Sequence, residues 1–540
     1  MDKMLARIAR LNEIGIALSA EKNVDMVCDS ILKGAMELTN ADGGSLYSMA
    51  DDERSLNFVI VATHSLDIYM GGMSGKEIGF PPIQLYNPDG SPNKTMVVSS
   101  AVHDDHTINI PDAYDAEGFD FSGTRKFDEK TGYRTKSILT IPMKNHQGDI
   151  IGVLQLINAQ SERSGDTREF TASDQKLAES LASQAAVAIT NTRLIEQQRE
   201  LFESFIQMIA GAIDEKSPYT GGHCKRVPEL TMMIAEACHR QTDGPLKDFN
   251  MTEKDRYELE IAGWLHDCGK VTTPEYVVDK ATKLETIYDR INTIDTRFEV
   301  LKRDARIAML EKTLARRAQD ANADCNDIEA NYETWIKRLD DEREFVRHCN
   351  IGGEFMDDAA QRRIHDIAEY RWNNAQGASE KFFNDDEIKN LTISRGTLTA
   401  EEREVINNHM AVTIKMLEKL PFPRHLANVP EYAGGHHERM DGKGYPKGLT
   451  RDQMSLQARM MGIADIFEAL SASDRPYKTG KPITECLKIL GFMKKDNHVD
   501  PDIFDVFVRD KVYQRYAEAF LPENQIDEVD HSQIPGYEGH

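Results

Sequence analysis

Histidine and aspartate stand next to each other in the segment WLHDCGK, residues 264–270, at the end of an apolar stretch with helical spacing. A second adjacent pair, His436 and His437, opens the segment HHERMDGKGYP and precedes a glycine-rich loop. In a third segment, IADIFEAL, the carboxylate of Asp465 is surrounded by isoleucine, phenylalanine and leucine. Burying a carboxylate among apolar side chains is costly unless it is paired or binds a cation. These residue types therefore predict a metal site.

The adjacent pair His266 and Asp267 suits a site with two metal ions. Neighbouring residues on a helix point about 100° apart, so the imidazole can bind one ion while the carboxylate bridges to the next. Imidazole and carboxylate ligands together favour iron, manganese or zinc over calcium or magnesium. Two such ions about 3.5–4 Å apart can activate a hydroxide and clamp a phosphodiester for in-line attack. The pattern therefore predicts phosphodiester hydrolysis.

Two other histidine-containing segments look similar but are predicted to lie at the surface. HDDH at residues 103–106 and the pair His365 and Asp366 have polar, loop-like or highly charged surroundings. A histidine–aspartate pair alone is weak evidence for a metal site. We therefore expect neither segment to bind metal.

Five ordered motifs resemble those of a known enzyme family. HDCGK and HHERMDGKGYP, together with YTGGHCKRV, TLTAEEREVINNHM and DRPYK, resemble the HD-GYP family, the branch of HD phosphohydrolases that degrades cyclic di-GMP. The resemblance covers roughly residues 205–280 and 398–525. Plain HD enzymes, which hydrolyse nucleotide triphosphates or alarmones, lack the GYP-type loop. The resemblance implies an all-α catalytic domain with two divalent metal ions, expected to be iron or manganese, with other transition metals as alternatives.

The same resemblance assigns roles to individual residues. Asp267 bridges the two ions and Lys270 contacts the scissile phosphate, so these two are the implied catalytic residues. Arg475 and Lys478 bind the phosphates or guanine of the substrate, and Tyr445 in the GYP loop adds a further substrate contact. The implied metal ligands are His223, His266, Asp267, His409, His436, His437 and Asp465.

The sequence departs from the family pattern between His266 and His409, which a short connection normally joins. The intervening residues 281–398 are highly charged and have an apolar seven-residue repeat over 284–308. A second helical run covers roughly 328–372. We interpret 281–398 as a helical insertion that either folds into an antiparallel hairpin or pairs with another subunit. Covering the active site, mediating dimerisation and binding a partner all remain open as its role.

The number of metal ions depends on the residues before the first ligand. Some family members bind a third metal through a glutamate one helical turn before the first histidine. Tyr219 occupies that position here, so we expect two ions, with Asp214 and Glu215 as nearby alternatives. Cys224 and Cys268 are next to proposed ligands, and we interpret both as small buried residues rather than redox sensors.

The first part of the chain has the alternating pattern of β-strands between helical segments. Residues 3–38 are predicted to be helical, and strands are predicted at 45–49 and 56–62. A hairpin around NHQGD joins predicted strands at 137–143 and 150–157. The segment FDEKTGYRTKSILTIPMKNHQGDIIGVLQLINA resembles a GAF domain, similar to those of cyclic-nucleotide phosphodiesterases. This resemblance implies an α/β sensor in which helices flank an antiparallel sheet.

The GAF resemblance extends over about residues 10–195, but the cyclic-nucleotide signature is incomplete. Ala159 follows Asn158 where the signature has lysine, and Gln175 follows Asp174 where it has glutamate. We therefore expect no tight binding of a cyclic nucleotide. Sensing of an unknown small ligand and a role limited to dimerisation are the two alternatives.

An uninterrupted helical pattern runs from Asp174 to about Ile213. Its partly polar seven-residue repeat includes Leu177, Leu181 and Phe202. This pattern predicts a stiff connector helix and a homodimer.

Composition excludes several classes of partner. The formal net charge of -25 and the pI near 5.1 argue against binding to nucleic acid polymers or anionic membranes. No apolar run approaches the roughly 20 residues that span a bilayer, and the scattered cysteines indicate reduced thiols. We therefore expect a cytoplasmic protein without membrane insertion.

The predicted architecture is an α+β multidomain protein with a GAF-like sensor (1–173), a connector helix (174–204), an HD-GYP domain (205–525) containing the insertion, and a flexible tail (526–540). The predicted function is hydrolysis of cyclic di-GMP to linear pGpG and then GMP, regulated by the GAF domain. Hydrolysis of mixed cyclic GMP-AMP is the close alternative. The alternative of another class is a non-catalytic dinucleotide receptor or a scaffold for a signalling protein. The insertion favours that alternative and the complete ligand set disfavours it.

Overall fold

The structure is a computed structural model that describes residues 2–216, 222–353, 355–473 and 480–539. The chain divides into two compact units, Met1–Phe202 and Glu203–His540. The first unit is an antiparallel sheet with helices and the second is mainly helical, which confirms the predicted α+β multidomain class. Among the described helices, none has the length and apolar character needed to cross a membrane.

The sheet of the first unit forms from the segments that alternate apolar and polar side chains. The predicted strands at 45–49 and 56–62 and the predicted hairpin around NHQGD are all present. The strand order is β3-β2-β1-β7-β6-β5, with β4 paired to β2 and β8 paired to β7, and the pairs are antiparallel. The strands are β1 (Ala41–Met49), β2 (Ser55–Thr63), β3 (Ile68–Gly71), β4 (Ile83–Gln84), β5 (Ile108–Ile110), β6 (Ile138–Lys144), β7 (Ile150–Gln160) and β8 (Thr167–Arg168).

The helices of the first unit pack their apolar faces against this sheet. Ile14, Ile31 and Leu181 join Leu46 and Leu154 in one buried core. Residues 3–38, predicted to be helical throughout, form two helices, because the side chain of Asn23 accepts a hydrogen bond from the amide of Met26 and begins a new helix. The helices that begin in this unit are α1 (Asp2–Ala20), α2 (Val24–Thr39), α3 (Val97–His103), α4 (Ser122–Thr131) and α5 (Ala172–Lys216).

Helix α5 is uninterrupted, as the sequence predicted. Leu177 and Leu181, which the sequence placed in a dimer seam, instead lie in the core of the first unit. The exposed apolar stripe of α5 has a different register, because four apolar side chains seven residues apart are 38–60% exposed. These four residues, called the α5 stripe below, are Val187, Leu194, Leu201 and Met208.

The second unit packs its helices around large buried side chains. Phe467 contacts Phe507 and Tyr516 with ring centroids 5.1 and 5.8 Å apart, and all three are fully buried. Its helices are α6 (His223–His239), α7 (Glu253–Leu265), α8 (Glu275–Val278), α9 (Ile291–Gln319), α10 (Asn326–Ile351), α11 (Asp358–Ala368), α12 (Asp385–Leu391), α13 (Ala400–Leu417), α14 (Val429–Gly434), α15 (Leu456–Ser471), α16 (Ile483–Lys495), α17 (Pro501–Arg509) and α18 (Val512–Phe520).

Helices α9 and α10 form an antiparallel hairpin, one of the two arrangements that the sequence left open. Arg343 pairs with Glu299 at 2.9 Å, and Lys302 pairs with Asp340. The insertion has its own core, in which Phe298 of α9 and Leu339 of α10 are both fully buried. A two-stranded sheet, β9 (Arg371–Asn373) and β10 (Ser379–Lys381), also belongs to the insertion.

The bounds of the insertion helices differ from the prediction. The repeat began at Leu284, but α9 begins at Ile291, and Leu284 packs into the insertion core before the helix. The run predicted over 328–372 is interrupted after α10, where Gly352 has a φ of 69°. That left-handed conformation ends a helix and favours glycine.

Residues 526–540 were predicted to form a flexible tail, but the described part, 526–539, packs against helices of the second unit. The backbone carbonyl of Gly536 accepts a hydrogen bond from Lys494 at 2.6 Å, and Ile534 is buried. His531 and Tyr513 form a further side-chain hydrogen bond at 3.0 Å. These contacts, together with the hydrogen bond from the amide of Thr484 to Asp527 at 3.0 Å, fix this segment on the helices.

Candidate metal centre

Seven residues from five helices or their ends come together inside the second unit. His223 begins α6, and His266 and Asp267 follow the end of α7. His409 lies in α13, His436 and His437 follow α14, and Asp465 lies in α15. Six of the seven are buried and His437 is half-buried. The structure therefore places every predicted metal ligand at one site.

The two carboxylate oxygens of Asp267 face different imidazoles. Oδ2 lies 3.3 Å from Nε2 of both His223 and His266, whereas Oδ1 lies 3.3 Å from Nε2 of His409. The donor atoms form two compact groups that share Asp267, one with His223 and His266 and the other with His436 and His437. Asp267 is therefore the carboxylate that the two groups of donor atoms have in common.

Hydrogen bonds fix which nitrogen of each imidazole faces the site. Each Nδ1 that donates to a backbone carbonyl leaves the Nε2 lone pair directed at the centre. The carbonyl acceptors are three residues earlier in the chain in each case. The three pairs are His266 with Gly263, His409 with Ile406, and His436 with Ala433.

The residues present fit divalent cations. Nε2 of His409, Nε2 of His436 and Oδ1 of Asp267 are buried and have no hydrogen-bond partner among the described residues. Nε2 of His223 and Nε2 of His266 lie 3.3 Å apart, although each imidazole uses its Nδ1 in another hydrogen bond. Buried lone pairs that face one another are unfavourable unless a proton or a cation lies between them. Imidazole and carboxylate donors are those that transition metals bind.

Glu468 belongs to the site, although the sequence analysis did not select it. Its Oε2 accepts from Nδ1 of His223 at 2.6 Å, and its Oε1 accepts from Nε of Arg226 at 2.8 Å. A carboxylate behind a ligating imidazole fixes the orientation of the ring and increases its basicity. The available signal was its spacing, because Glu468 follows Asp465 by three residues on one apolar helix and so lies on the same face.

Burial and charge set the protonation of the site. Burial opposes ionisation of Asp267, but the neighbouring Lys270 and His266 outweigh it and lower the pKa of Asp267 well below its ordinary value. Burial lowers the pKa of His437 to about 4, so this imidazole is neutral. At His223 burial is outweighed by Glu468 and other carboxylates, which raise its pKa. A cation bound at His223 would therefore displace a proton.

The glycine of the motif HDCGK, Gly269, lies too close to α13 to carry a side chain. A Cβ atom at this position would lie 2.0 Å from the carbonyl oxygen of His409 and 2.6 Å from Oγ1 of Thr413. The amide of Gly269 donates to the same Oγ1 at 2.9 Å. Only a residue without a side chain allows the turn after Asp267 to approach α13 so closely.

The loop after His437 is shaped by a buried carboxylate. Glu438 accepts hydrogen bonds from the amides of Lys447 and Leu449 at 2.7 and 2.9 Å. The ring of Tyr445 stacks on His437 with centroids 4.8 Å apart and an interplanar angle of 18°. Tyr445 therefore lies at the edge of the candidate centre, as a substrate contact requires.

The predicted basic residues have different outcomes. Lys270 pairs with Oδ2 of Asp267, and its side chain is 21% exposed. Arg475 and Lys478 lie outside the described residues.

The position where some family members have the glutamate for a third metal, Tyr219, also lies outside the described residues. The nearby Asp214 accepts hydrogen bonds from the amides of Gly222 and Cys224 at the start of α6.

The two segments predicted to lie at the surface are mostly exposed. His365 and Asp366 are exposed on α11, and His106 is exposed in the first unit. Nε2 of His103 contacts the carbonyl oxygen of Leu85 at 2.5 Å. Within the described ranges, neither segment belongs to a group of metal-binding side chains.

The residues of the incomplete cyclic-nucleotide signature take part in internal contacts of the first unit. Asn158 accepts from the amide of Lys136 at 2.7 Å and donates to the carbonyl of Arg134 at 2.8 Å. Asp174 is 1% exposed and pairs with both Arg7 and Arg168. These contacts give both side chains a structural role.

Comparison with protein families assigns a domain to each unit. A model described as GAF domain matches residues 23–189, and a model described as HD domain matches residues 381–503. The chain therefore combines a GAF domain with an HD domain, as the motifs predicted. The HD match includes His409, His436, His437 and Asp465 and begins within the insertion, whose core contains Phe382 and Phe383.

Curated relatives match a short part of the chain. A 3'3'-cGAMP-specific phosphodiesterase 3 of Vibrio cholerae is 41% identical over 111 residues, which are 20% of this chain and 23% of the relative. A cyclic di-GMP phosphodiesterase of Pseudomonas aeruginosa is 38% identical over 114 residues, 21% of this chain and 26% of the relative. The matches thus span about a quarter of these relatives. Among solved structures, the GAF domain of a Coxiella burnetii phosphoenolpyruvate-protein phosphotransferase covers 36% of this chain and 98% of its own length, with 16% identity and a TM-score of 0.28.

Proposed function

We propose that the second unit is an HD-GYP phosphodiesterase that hydrolyses cyclic di-GMP to linear pGpG and then to GMP. The observation that supports this most strongly is the sharing of Asp267 between two groups of imidazoles. A single-metal site has no use for two donor groups that have one carboxylate in common. The relatives named for cyclic dinucleotides support the substrate class.

Two divalent ions, iron or manganese, are proposed to bind at these donors. When bound, they would supply electrophilic stabilisation of the phosphate and lower the pKa of water. One ion would be held by His223, His266 and Asp465, the other by His409, His436 and His437, and both by Asp267.

The chain's own residues orient and neutralise the substrate in this proposal. The ammonium of Lys270 lies beside Asp267 at a partly exposed position, where it can neutralise negative charge that develops on the phosphate. Tyr445 offers an aromatic face beside His437 for a base of the substrate. Arg475 and Lys478 are proposed to bind the remaining phosphate or guanine.

Mixed cyclic GMP-AMP is the second candidate substrate. The relative named for 3'3'-cGAMP is 41% identical over its matched segment, and both substrates present the same phosphodiester to the metal centre. The difference lies in one base, so side chains outside the metal centre must select between them.

The decisive experiment is hydrolysis of a substrate panel by the full chain. The protein would be reconstituted separately with iron, manganese and zinc and tested with cyclic di-GMP, 3'3'-cGAMP and cyclic di-AMP, with products separated by chromatography. We expect linear pGpG from cyclic di-GMP. Faster hydrolysis of 3'3'-cGAMP than of cyclic di-GMP would show that 3'3'-cGAMP is the preferred substrate. Binding of a cyclic dinucleotide without turnover in every metal form would favour a receptor.

Asp267→Ala and His365→Ala provide a matched pair for this experiment. Loss of the shared carboxylate is expected to reduce turnover at least 1,000-fold, about 4 kcal/mol in transition-state stabilisation, and to lower the metal content. Loss of the exposed His365 is expected to change neither. Full activity of Asp267→Ala would contradict the two-metal site.

We also propose that the chain forms a homodimer through the α5 stripe and that the GAF domain regulates the second unit. Apolar side chains at seven-residue intervals match the repeat of a two-stranded coiled coil. Leu201→Glu would introduce a charge at the centre of the stripe and should convert a dimer to a monomer in light scattering. Gln197→Glu, at an exposed position on the same helix, is the control.

A further inference from the structure

Lys216, the last residue of α5, contacts the segment that follows Asp267. Its Nζ donates hydrogen bonds to the backbone carbonyls of Lys270, Val271 and Thr273, at 3.1, 2.6 and 2.6 Å. All these residues belong to the second unit. One ammonium therefore joins three carbonyls within four consecutive residues.

The three acceptors lie where a helical turn ends. Residues Cys268–Thr272 form a 3-10 helix, and Thr273 follows it in an extended conformation. The last carbonyls of a helical segment lack partners within the helix and attract a cation. An ammonium has three donors, so Lys216 can bond to all three carbonyls at once, and the Lys270 carbonyl also accepts from the amide of Thr273 at 3.1 Å.

The same turn contains the residues that the proposed reaction uses. It begins directly after Asp267 and includes Lys270, whose ammonium pairs with Asp267. The amide of Gly269, which also belongs to this turn, donates a hydrogen bond to Oγ1 of Thr413 at 2.9 Å. The turn thus packs on α13 around Gly269, and Lys216 bonds to three of its carbonyls.

Packing alone does not fix the Lys216 side chain. It is half-buried and lines a cavity of about 580 Å³ together with Thr272, Thr273 and Tyr276. Because the side chain borders open space, its three hydrogen bonds are what determine the position of the ammonium.

We infer that Lys216 is a positioning residue for the metal centre, which holds the 268–273 turn so that Asp267 and Lys270 keep their places. This inference rests on the proposed function only for its effect on turnover. Its effect on the turn itself is independent of any substrate.

The test compares Lys216→Met, which keeps the length of the side chain but removes the donors, with Lys216→Arg, which restores a multiple donor. Hydrogen–deuterium exchange of the full chain reports the amides of Lys270 and Thr273, which bond to the carbonyls of Asp267 and Lys270. We expect at least tenfold faster exchange in peptides covering 268–273 for Lys216→Met. Exchange in α13 should be unchanged, and Lys216→Arg should return to within threefold of the parent.

Turnover gives a second readout that a purely structural role would not produce. Lys216→Met should lower kcat at least tenfold with KM within twofold and an unchanged melting temperature, and Lys216→Arg should recover most of the rate. Lys254→Met, at an exposed position on α7, is the control and should match the parent. If Lys216→Met does not fold, Lys216→Leu, which also lacks donors, provides the same comparison.

The two hypotheses fail in different ways. Unchanged exchange of the 268–273 turn in the Lys216 variants would overturn the positioning role, even in an active enzyme. A parent protein without turnover on any cyclic dinucleotide would overturn the proposed function, while the exchange experiment would still decide the role of Lys216.

Discussion

The carboxylate of Glu468 lies 2.6 Å from Nδ1 of His223, on the side of the imidazole opposite the metal centre. Nε2 of the same ring lies 3.3 Å from Asp267 and 3.3 Å from Asp465. Helix α15 therefore fixes the orientation of the His223 ring, because it contributes both Asp465 and Glu468.

Glu468→Gln should weaken metal binding without unfolding the protein. The amide keeps the size of the side chain but no longer accepts two charge-assisted hydrogen bonds, from His223 and Arg226. Loss of such a partner lowers metal affinity about 10–100-fold. Competition with a chromophoric chelator measures this affinity directly.

Glu404→Gln is the control for that substitution, since Glu404 is exposed on α13. It should bind metal like the parent. Equal affinity of the Glu468→Gln and Glu404→Gln proteins would show that Glu468 only stabilises the fold.

Replacing residues 283–396 by a short glycine–serine linker should preserve the second unit. The insertion has a separate core, and its two ends meet, because Oγ1 of Thr397 donates to the carbonyl of Lys280 at 2.9 Å. Loop-closure entropy changes only slowly with length. We expect a soluble protein with the metal content of the parent and an altered turnover or oligomeric state.

Metal analysis and light scattering test this variant. Misfolding or loss of metal would place the insertion within the catalytic unit. A variant equal to the parent in rate, regulation and assembly would show that the insertion has no role in them. Lys280 keeps its partner Glu402 in the shortened chain, although it loses Asn390.

Asp174→Asn should destabilise the first unit at neutral pH by about 2 kcal/mol, as expected for lost hydrogen bonds to charged groups. Burial raises the pKa of Asp174, but the hydrogen bonds from Arg168 and Arg7 outweigh it and lower the pKa below its ordinary value. Such a carboxyl stabilises the fold above its unfolded pKa, near about 4, and loses this contribution as the pH falls through its folded pKa.

The difference between Asp174→Asn and the parent should therefore be full at pH 7 and shrink below about pH 4, measured by urea unfolding. Asp105→Asn, which removes an exposed ion pair with Lys144, should change stability little. A difference for Asp174→Asn that is independent of pH would rule out the ion pairs as its cause.

The native thiols should react slowly with Ellman's reagent at pH 8. All seven cysteines are buried, and burial raises the pKa of Cys268 to about 11 and also raises that of Cys224. The thiolate is the reactive form. We expect labelling at least 100-fold slower than in concentrated guanidinium, where all seven thiols should titrate. Rapid labelling of Cys224 or Cys268 would instead support a redox sensor.

The sequence by itself was sufficient to predict the fold class and to select the side chains that meet at the candidate metal centre. Adjacent histidine and aspartate residues, and Asp465 among apolar neighbours, are local signals that remain visible without coordinates. Alternation of apolar and polar side chains likewise predicted β1, β2 and the hairpin of β6 and β7. Consecutive side chains of a strand point to opposite faces of the sheet, so this pattern is visible in the sequence alone.

Contacts between distant residues were decided only by the tertiary structure. Glu468 and His223 are 245 positions apart, and nothing in either segment alone records that they meet. The register of α5 was misassigned for a related reason, since Leu177 and Leu181 are as apolar as a dimer seam requires but are buried by the sheet of their own unit. Residues 526–540 were predicted to form a flexible tail, whereas Ile534 is buried and the Gly536 carbonyl accepts a hydrogen bond from Lys494 on a distant helix.

The position of Asp267 shows the same division. The sequence selected Asp267 as a candidate ligand from its position beside His266, a property of two neighbouring residues. Which imidazole faces each oxygen depends on how α6, α7 and α13 pack, and that packing depends on Gly269 admitting the close approach to His409. Residue type determines which atoms can bind a metal, whereas the packing of separate helices determines which of them do so together.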